Sequence, residues 1–329
     1  MRVCLVAIAT LAGACVPLSA PERVSEASCA AHSREAVPFE MTEVSQNGLV
    51  GAFFKPVSKT RSPAILVLGG SEGGKDGVRA LAKPFAEQGY AVLALSWFGV
   101  SGLPASYVEV PLEYFEKGID WLAQNPSVDA DRIGVYGLSK GAEAALLVAS
   151  RSPRLHAVAA GMPANVAFQG GANARAGVEA QSSWTEGGKP VAFVPYDLSQ
   201  PFDFRNYIGS IFRLYDGGLK VIDTHQDAVI PVERINGPLM LISGQADAMW
   251  PSSRMAGDIT ERLNAKSFNF RVTHLSYPDA GHTVGMPPAL GVSAKGPDEA
   301  VGGTVEGNRN ARADMWPKLV CFFDKSLKH

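Results

Sequence analysis

The sequence predicts a doubly wound α/β sheet, mostly parallel, with helices on both faces and an insertion after the fourth predicted strand. Three observations carry that expectation. Continuous apolar runs such as Ala64-Ile65-Leu66-Val67-Leu68 read as strands buried on both faces, because a strand with one wet face alternates polar and apolar residues. Amphipathic stretches of helical period separate these runs. Strict alternation of the two produces parallel βαβ units with right-handed crossovers.

The elements follow in order. Residues Val37 to Pro56 read as a short hairpin leading into the sheet, and Ala64 to Leu68 as the first buried strand, ended by Gly69-Gly70. A helix from Val78 to Gln88 stops at Gly89, and Ala91 to Leu95 forms the second strand. Leu112 to Gln124 places Leu112, Phe115, Ile119 and Leu122 on one helical face. Ile133 to Tyr136 is the third strand, Gly141 to Ser150 an alanine- and leucine-rich helix, and Ala157 to Gly161 the fourth strand. The lid-like insertion, residues 162–234, breaks the rhythm with Gly170-Gly171, Gly187-Gly188 and Gly217-Gly218. Its aromatics, Trp184, Phe193, Tyr196, Phe202, Phe204, Tyr207 and Phe212, either line an acyl pocket or form the insertion's own small core. Pro238 to Ser243 is a fifth strand, Phe270 to Tyr277 a sixth, and Ala311 to Leu327 a closing helix. Residues 37–329 are therefore expected to form one domain.

Composition narrows the function classes. Hydrophobic residues make up 46% of the 329 and charged residues 19%, which places the chain among folded globular proteins. The 30 Lys and Arg against 32 Asp and Glu give a net charge of −2, without the basic excess of a nucleic-acid binder.

Arg2 followed by the apolar run Val3 to Ala14 has the length of a signal-peptide core and is too short to span a bilayer. Residues 1–20 are thus expected to be an export signal, with a periplasmic or extracellular destination, and residues 21–36 a flexible segment. Cleavage follows Ala14 or Ala20, or it leaves Cys15 as a lipid-bearing N-terminus and membrane tether, although Ala12 stands where such sites carry leucine. An oxidising compartment permits a Cys29–Cys321 disulfide; alternatively Cys321 is a thiol buried in Leu319 to Phe323. No CxxC or His pair suggests a metal, and no cofactor is expected.

The chemistry is expected between the third strand and the helix after it. Gly137-Leu138-Ser139-Lys140-Gly141 matches G-x-S-x-G in the strand-turn-helix context that gives the motif its meaning: a tight turn that thrusts the serine hydroxyl toward substrate. A serine needs a base, and the base an orienting acid, which in such sheets follow in the order serine, acid, histidine. Asp247, just past the fifth strand, and His282, after the sixth, fill those places. The rival acids are Asp227 and Asp279 and the rival histidines His225 and His274, with His274 more at home as a structural strand residue. Charge developing on the substrate oxygen needs donors, here the Lys140 N–H and one from the loop Gly69-Gly70-Ser71-Glu72-Gly73-Gly74, assigned to Ser71 with Glu72 as the alternative. That loop lacks the Lys-Ser/Thr ending of a P-loop, so a nucleotide site is a poor reading.

Several blocks resemble a known family. Val110-Pro111-Leu112-Glu113-Tyr114-Phe115, Trp121-Leu122 and Arg132 to Glu143 are similar to the C-terminal domain of acyl-CoA thioesterases and bile acid-CoA:amino acid N-acyltransferases. So are Ile230 to Pro238, Ile242 to Asp247, Trp250-Pro251-Ser252, Tyr277 to His282, and Gly302-Gly303-Thr304 with Trp316 and Phe322-Phe323. The resemblance runs from about Ala64 to the C-terminus and implies an α/β-hydrolase fold with nucleophile, acid and base on Ser139, Asp247 and His282. Two departures qualify it. Eukaryotic members carry an N-terminal β-sandwich that the stretch before Ala64 cannot hold, and an exported enzyme would rarely meet intracellular acyl-CoA. The conjugating members use a cysteine nucleophile, so Ser139 resembles the hydrolytic branch and favours water as acceptor. The expectation is an exported serine hydrolase cleaving acyl thioesters or carboxylic esters, a small-molecule enzyme with no nucleic-acid partner. The alternatives are acyl transfer to an amine or alcohol, and a non-catalytic ligand-binding protein on the same fold.

Overall fold

The computed structural model describes residues 35–171, 177–290 and 298–328. The expected export signal, the alternative of lipidation at Cys15, and Cys29 lie outside the described residues, as does the segment 21–34. Cys321 is disulfide-bonded.

An eight-stranded sheet organises the chain. Strands β1 (Phe39–Gln46) and β2 (Leu49–Pro56) form the expected hairpin, turning through Asn47 and Gly48, both at positive φ. Strands β3 (Ser62–Leu68), β4 (Ala91–Ser96), β6 (Val128–Leu138), β7 (Leu155–Gly161), β10 (Leu239–Gly244) and β11 (Val272–Tyr277) run parallel, in the spatial order β1-β2-β4-β3-β6-β7-β10-β11. Only β2, antiparallel to β1 and β4, breaks that sense. The reversal of winding falls at β3 and β6, so the loops leaving those two strands flank one crevice, the place where open sheets bind ligands. Ser139 leaves β6 there.

Helices α1 (Asp76–Glu87) and α6 (Val305–Leu327) cover one face, while α2 (Leu112–Gln124), α3 (Lys140–Ala149) and α5 (Ser252–Ala265) cover the other. The central strands obey the two-faced burial read from their composition: Ile65 and Val67 join the α1/α6 core, Leu66 and Leu68 the α2/α3 core. Helix α5 has no counterpart among the sequence expectations. Its mean composition is polar, and apart from buried Ser252 at its start only Met255, Ala256, Ile259 and Leu263 form a narrow buried stripe.

The insertion is mostly irregular. Its described residues contain the short strands β8 (Trp184–Glu186) and β9 (Lys189–Pro190), which with β5 (Val110–Pro111) make a three-stranded sheet, and, besides short 3-10 turns, the α-helix α4 (Tyr207–Leu219). Its core unites Val166, Phe168, Val194, Tyr196, Leu214 and Tyr215 with Trp250.

Candidate active site

The turn between β6 and α3 is built by exclusion. A Cβ on Gly137 would fall 2.2 Å from the Gly141 carbonyl oxygen, and one on Gly141 would fall 2.2 Å from that of Gly69, so only glycine fits at either position. Between them Ser139 takes φ 53° and ψ −121°, a conformation costly for a side-chain-bearing residue. The surroundings hold it there: the Ser139 N–H donates to the Gly161 carbonyl at 2.9 Å, and its carbonyl accepts from Ala142 and Glu143 at 2.9 and 3.1 Å. The hydroxyl stands at the N-terminus of α3, where unpaired amides and the helix dipole favour negative charge.

Ser139 Oγ lies 2.9 Å from His282 Nε2, and His282 Nδ1 lies 2.8 and 2.9 Å from the two Asp247 carboxylate oxygens. The Asp247 side chain is 1% exposed and keeps further donors: the Met249 and Trp250 amides at 2.9 and 3.3 Å and the Ser252 hydroxyl at 2.6 Å. A carboxylate so surrounded has its acceptor positions filled and is aimed at the imidazole. Trp250 packs edge-on against the His282 ring, centroids 5.7 Å apart, and restricts its rotation.

Two loops more than thirty residues apart must meet to set this geometry, and Gly302-Gly303 clamps them. Gly302 bridges Asp247, Gly303 bridges Ala280, and the His282 and Ala248 amides both donate to the Val301 carbonyl at 3.2 Å. Gly302 has φ 101°, and a Cβ there would sit 2.1 Å from the Ala246 carbonyl oxygen. Buried Asn308 ties the clamp shut: its Oδ1 accepts from the Gly281 amide at 2.8 Å and its amide nitrogen donates to the Gly302 carbonyl at 3.1 Å. Sequence reasoning assigned no role to Ser252 or Asn308. The run Asp247 to Ser252 carried the only signal for Ser252, a hydroxyl at a helix start five residues beyond an acid.

The rivals stand elsewhere. His274 lies in β11 with Nε2 2.8 Å from the Ser243 hydroxyl, and burial lowers its pKa, keeping the ring neutral and structural. His225 Nδ1 is taken up by its own turn, 3.0 Å from both the Val221 carbonyl and the Thr224 hydroxyl. Asp227 and Asp279 are exposed. Of the two oxyanion candidates, Lys140 opens α3. The loop after β3 approaches Ser139 at Gly70, where a Cβ would be 3.2 Å from that of Ser139. Glu72 folds back so that its carboxylate accepts from the Gly70 amide at 3.0 Å, which makes Glu72 a brace of this loop.

The side chain of Lys140 has a separate fate. It is 1% exposed and paired with Glu143, 0% exposed, at 2.8 Å. Glu143 also accepts from the Trp184 indole N–H at 2.6 Å and the Phe168 amide at 3.0 Å, so one carboxylate pins the insertion to the first turn of α3. Burial lowers the Lys140 pKa while Glu143 opposes the shift. Trp184, one of the aromatics left open between acyl pocket and core, is a core residue, with its indole N–H spent on a buried carboxylate. Tyr196, Phe202, Phe204 and Tyr207 do line a cavity.

Sheet order, the glycine-flanked Ser139 turn and the Ser139–His282–Asp247 geometry define an α/β-hydrolase fold. The chain belongs to the BAAT / acyl-CoA thioester hydrolase C-terminal family, which matches residues 110–329. Residues 30–189 also match the X-Pro dipeptidyl-peptidase (S15) family. The chain is 29% identical to the peroxisomal succinyl-coenzyme A thioesterase of Mus musculus over 288 residues, 83% of this chain and 62% of that protein. It is equally similar to acyl-coenzyme A thioesterase 6 of Homo sapiens, 29% over 290 residues, 84% of this chain and 63% of the relative. The chain thus spans less than two thirds of the length of these relatives. Among solved structures it resembles in fold a dienelactone hydrolase-like promiscuous phosphotriesterase from metagenomic libraries, with TM-score 0.53 and 14% identity over 88% of this chain and 99% of the other. The dipeptidyl peptidase 4 of Porphyromonas gingivalis gives TM-score 0.54 and 16% identity over 89% of this chain and 36% of that one.

Proposed function

We propose that this chain hydrolyses acyl thioesters, and carboxylic esters of the same acids, through an acyl-enzyme on Ser139. The carrying observation is the continuous hydrogen-bonded line from Ser139 Oγ through His282 to Asp247. His282 Nε2 takes the hydroxyl proton as Oγ attacks the acyl carbon, and Asp247 stabilises the imidazolium that forms. The tetrahedral oxyanion is met by the Lys140 amide at the start of α3 and by the Ser71 amide. Collapse expels the thiol or alcohol, which receives the proton from His282. A water activated by the same imidazole then attacks the acyl-enzyme and releases the acid, with Ser139 restored.

A fluorophosphonate probe tests the nucleophile: wild type labels, Ser139→Ala does not, and acid release from acyl thioesters disappears with the label. Absence of labelling in folded wild-type protein overturns the reading and favours a ligand-binding protein. A product amide or ester formed in preference to acid when an amine or alcohol is added assigns the enzyme to acyl transfer instead.

A further inference from the structure

The glycine loop after β3, residues 69–74, hangs from the two residues that follow β4. The Trp97 indole N–H donates to the Gly69 carbonyl at 3.2 Å, and the Gly74 amide donates to the Phe98 carbonyl at 3.2 Å. Ser71 lies between these attachments, and the Glu72 carboxylate steadies the span through the Gly70 amide. The Gly69 carbonyl also abuts the first turn of α3, since it is the group that bars a side chain at Gly141. A shift at Gly69 is therefore felt in both segments that flank Ser139.

The Trp97 ring is itself held from its other side. It is buried and packs on Trp184 with centroids 5.3 Å apart, and Phe115 closes the cluster at 5.9 Å from Trp97 and 5.8 Å from Trp184. Trp184, also buried, donates its own N–H to Glu143 at 2.6 Å, in the first turn of α3. The Glu143 amide in turn donates to the Ser139 carbonyl at 3.1 Å. One run of contacts thus passes from the loop after β3, through two indoles, into the helix that Lys140 opens. An indole has a single N–H donor, and here one is spent on each of the two segments. Rigid rings in a close-packed core transmit displacement instead of absorbing it, so the pair sets how far apart the two segments stand.

We propose that Trp97 and Trp184 are positioning residues that set the spacing between the two oxyanion donors, the Ser71 and Lys140 amides. The proposal rests on the hydrolase reading, with Ser139 as nucleophile. Charge reaches the substrate oxygen only once Ser139 attacks, so a displaced donor weakens the transition state and spares the bound substrate. The loss falls on kcat and leaves KM nearly untouched.

The test follows hydrolysis of the hexanoyl thioester of N-acetylcysteamine, and the rate of fluorophosphonate labelling, in wild type, Trp97→Phe, Trp184→Phe and Phe115→Leu. The last is a packing control, which thins the same cluster and keeps both indole N–H groups. Trp97→Phe leaves the Gly69 carbonyl without its indole donor and is expected to lower kcat about ten-fold or more while KM moves less than about two-fold. Trp184→Phe, one contact further from the loop, lowers kcat about three-fold or more, and Phe115→Leu loses stability in urea but keeps kcat within about two-fold. Pentyl trifluoromethyl ketone reads the donors directly: Ser139 Oγ bonds to its carbonyl carbon, the hydroxyl proton passes to His282, and the carbonyl π pair becomes an oxyanion. Its inhibition constant rises in Trp97→Phe by the factor that kcat falls, whereas that of the product hexanoate stays within about two-fold. Labelling slows in step, because phosphonylation places charge on the same amides. Folded Trp97→Phe with wild-type kcat, ketone inhibition and labelling rate overturns the proposal and leaves the hydrolase standing. So does a loss of kcat in Phe115→Leu as large as in Trp97→Phe, since packing alone then explains both. If Trp97→Phe does not fold, Trp184→Phe decides between the same two outcomes. Wild type that does not label overturns the hydrolase reading, and the positioning role falls with it.

Discussion

Glu143→Gln removes one charge from a fully buried pair and exposes what that pair does. In the native site the carboxylate accepts from the Lys140 ammonium with both oxygens, from Trp184 and from Phe168. Glutamine keeps one oxygen for Trp184, Phe168 and Lys140 but puts an NH₂ where the ammonium's second acceptor was, leaving a buried cation without its counter-charge. Breaking a buried pair from one side costs about 3–5 kcal/mol. Lys140→Met leaves the carboxylate with two good N–H donors and is expected to cost less, about 1–3 kcal/mol. The double variant Lys140→Met/Glu143→Gln has no buried charge and is expected to recover part of the Glu143→Gln loss. The difference carries a pH signature. The Lys140 pKa is already lowered by burial from its ordinary 10.5, and losing Glu143 removes the influence that raises it. A lysine with a depressed native pKa binds fewer protons folded than unfolded, so stability rises with pH between the native value and 10.5. The Glu143→Gln defect should therefore shrink as pH is raised from neutral toward 10, which urea unfolding at several pH values measures. A defect under about 1 kcal/mol, or one that does not shrink with rising pH, refutes this account of the pair.

Other perturbations address the site itself. Ser252→Ala removes the 2.6 Å hydroxyl donor from Asp247 and is expected to lower kcat about three- to thirty-fold with little change in KM, read from steady-state kinetics. Gly302→Ala forces a Cβ against the Ala246 carbonyl at positive φ; activity should fall with a loss of about 2 kcal/mol or more in unfolding free energy, and wild-type stability would contradict the clamp. His225→Ala should leave kcat/KM unchanged, since its ring is spent on its own turn; a large loss would reopen the choice of base.

Much of the fold was legible because it is encoded locally. A strand buried on both faces needs an unbroken apolar run, and a helix on a sheet needs apolar residues at the 3.6 period, so β3, β4, β10 and α2 could be placed from their own residues. Helix α5 escaped because its buried stripe is narrow and its other faces are polar, as suits an outer helix. The insertion escaped because its packing is irregular, with Phe168 and Trp184 fastened by a carboxylate on a distant helix rather than by any repeating pattern.

The candidate site divides the same way. The sequence by itself determined that a serine sits in a glycine-flanked turn between strand and helix, since Gly137 and Gly141 answer a steric demand within five residues. It also determined which carboxylates and imidazoles lie at strand ends, and in what order. Only the tertiary structure decided that Asp247 and His282 meet while Asp227, Asp279, His225 and His274 do not, that Glu72 braces the loop after β3, and that Ser252, Asn308 and Gly302 hold the geometry. The reason is distance along the chain. A turn is specified by the sterics of neighbouring residues, whereas a hydrogen bond between loops 35 residues apart exists only after the sheet and its clamp have brought them within 3 Å.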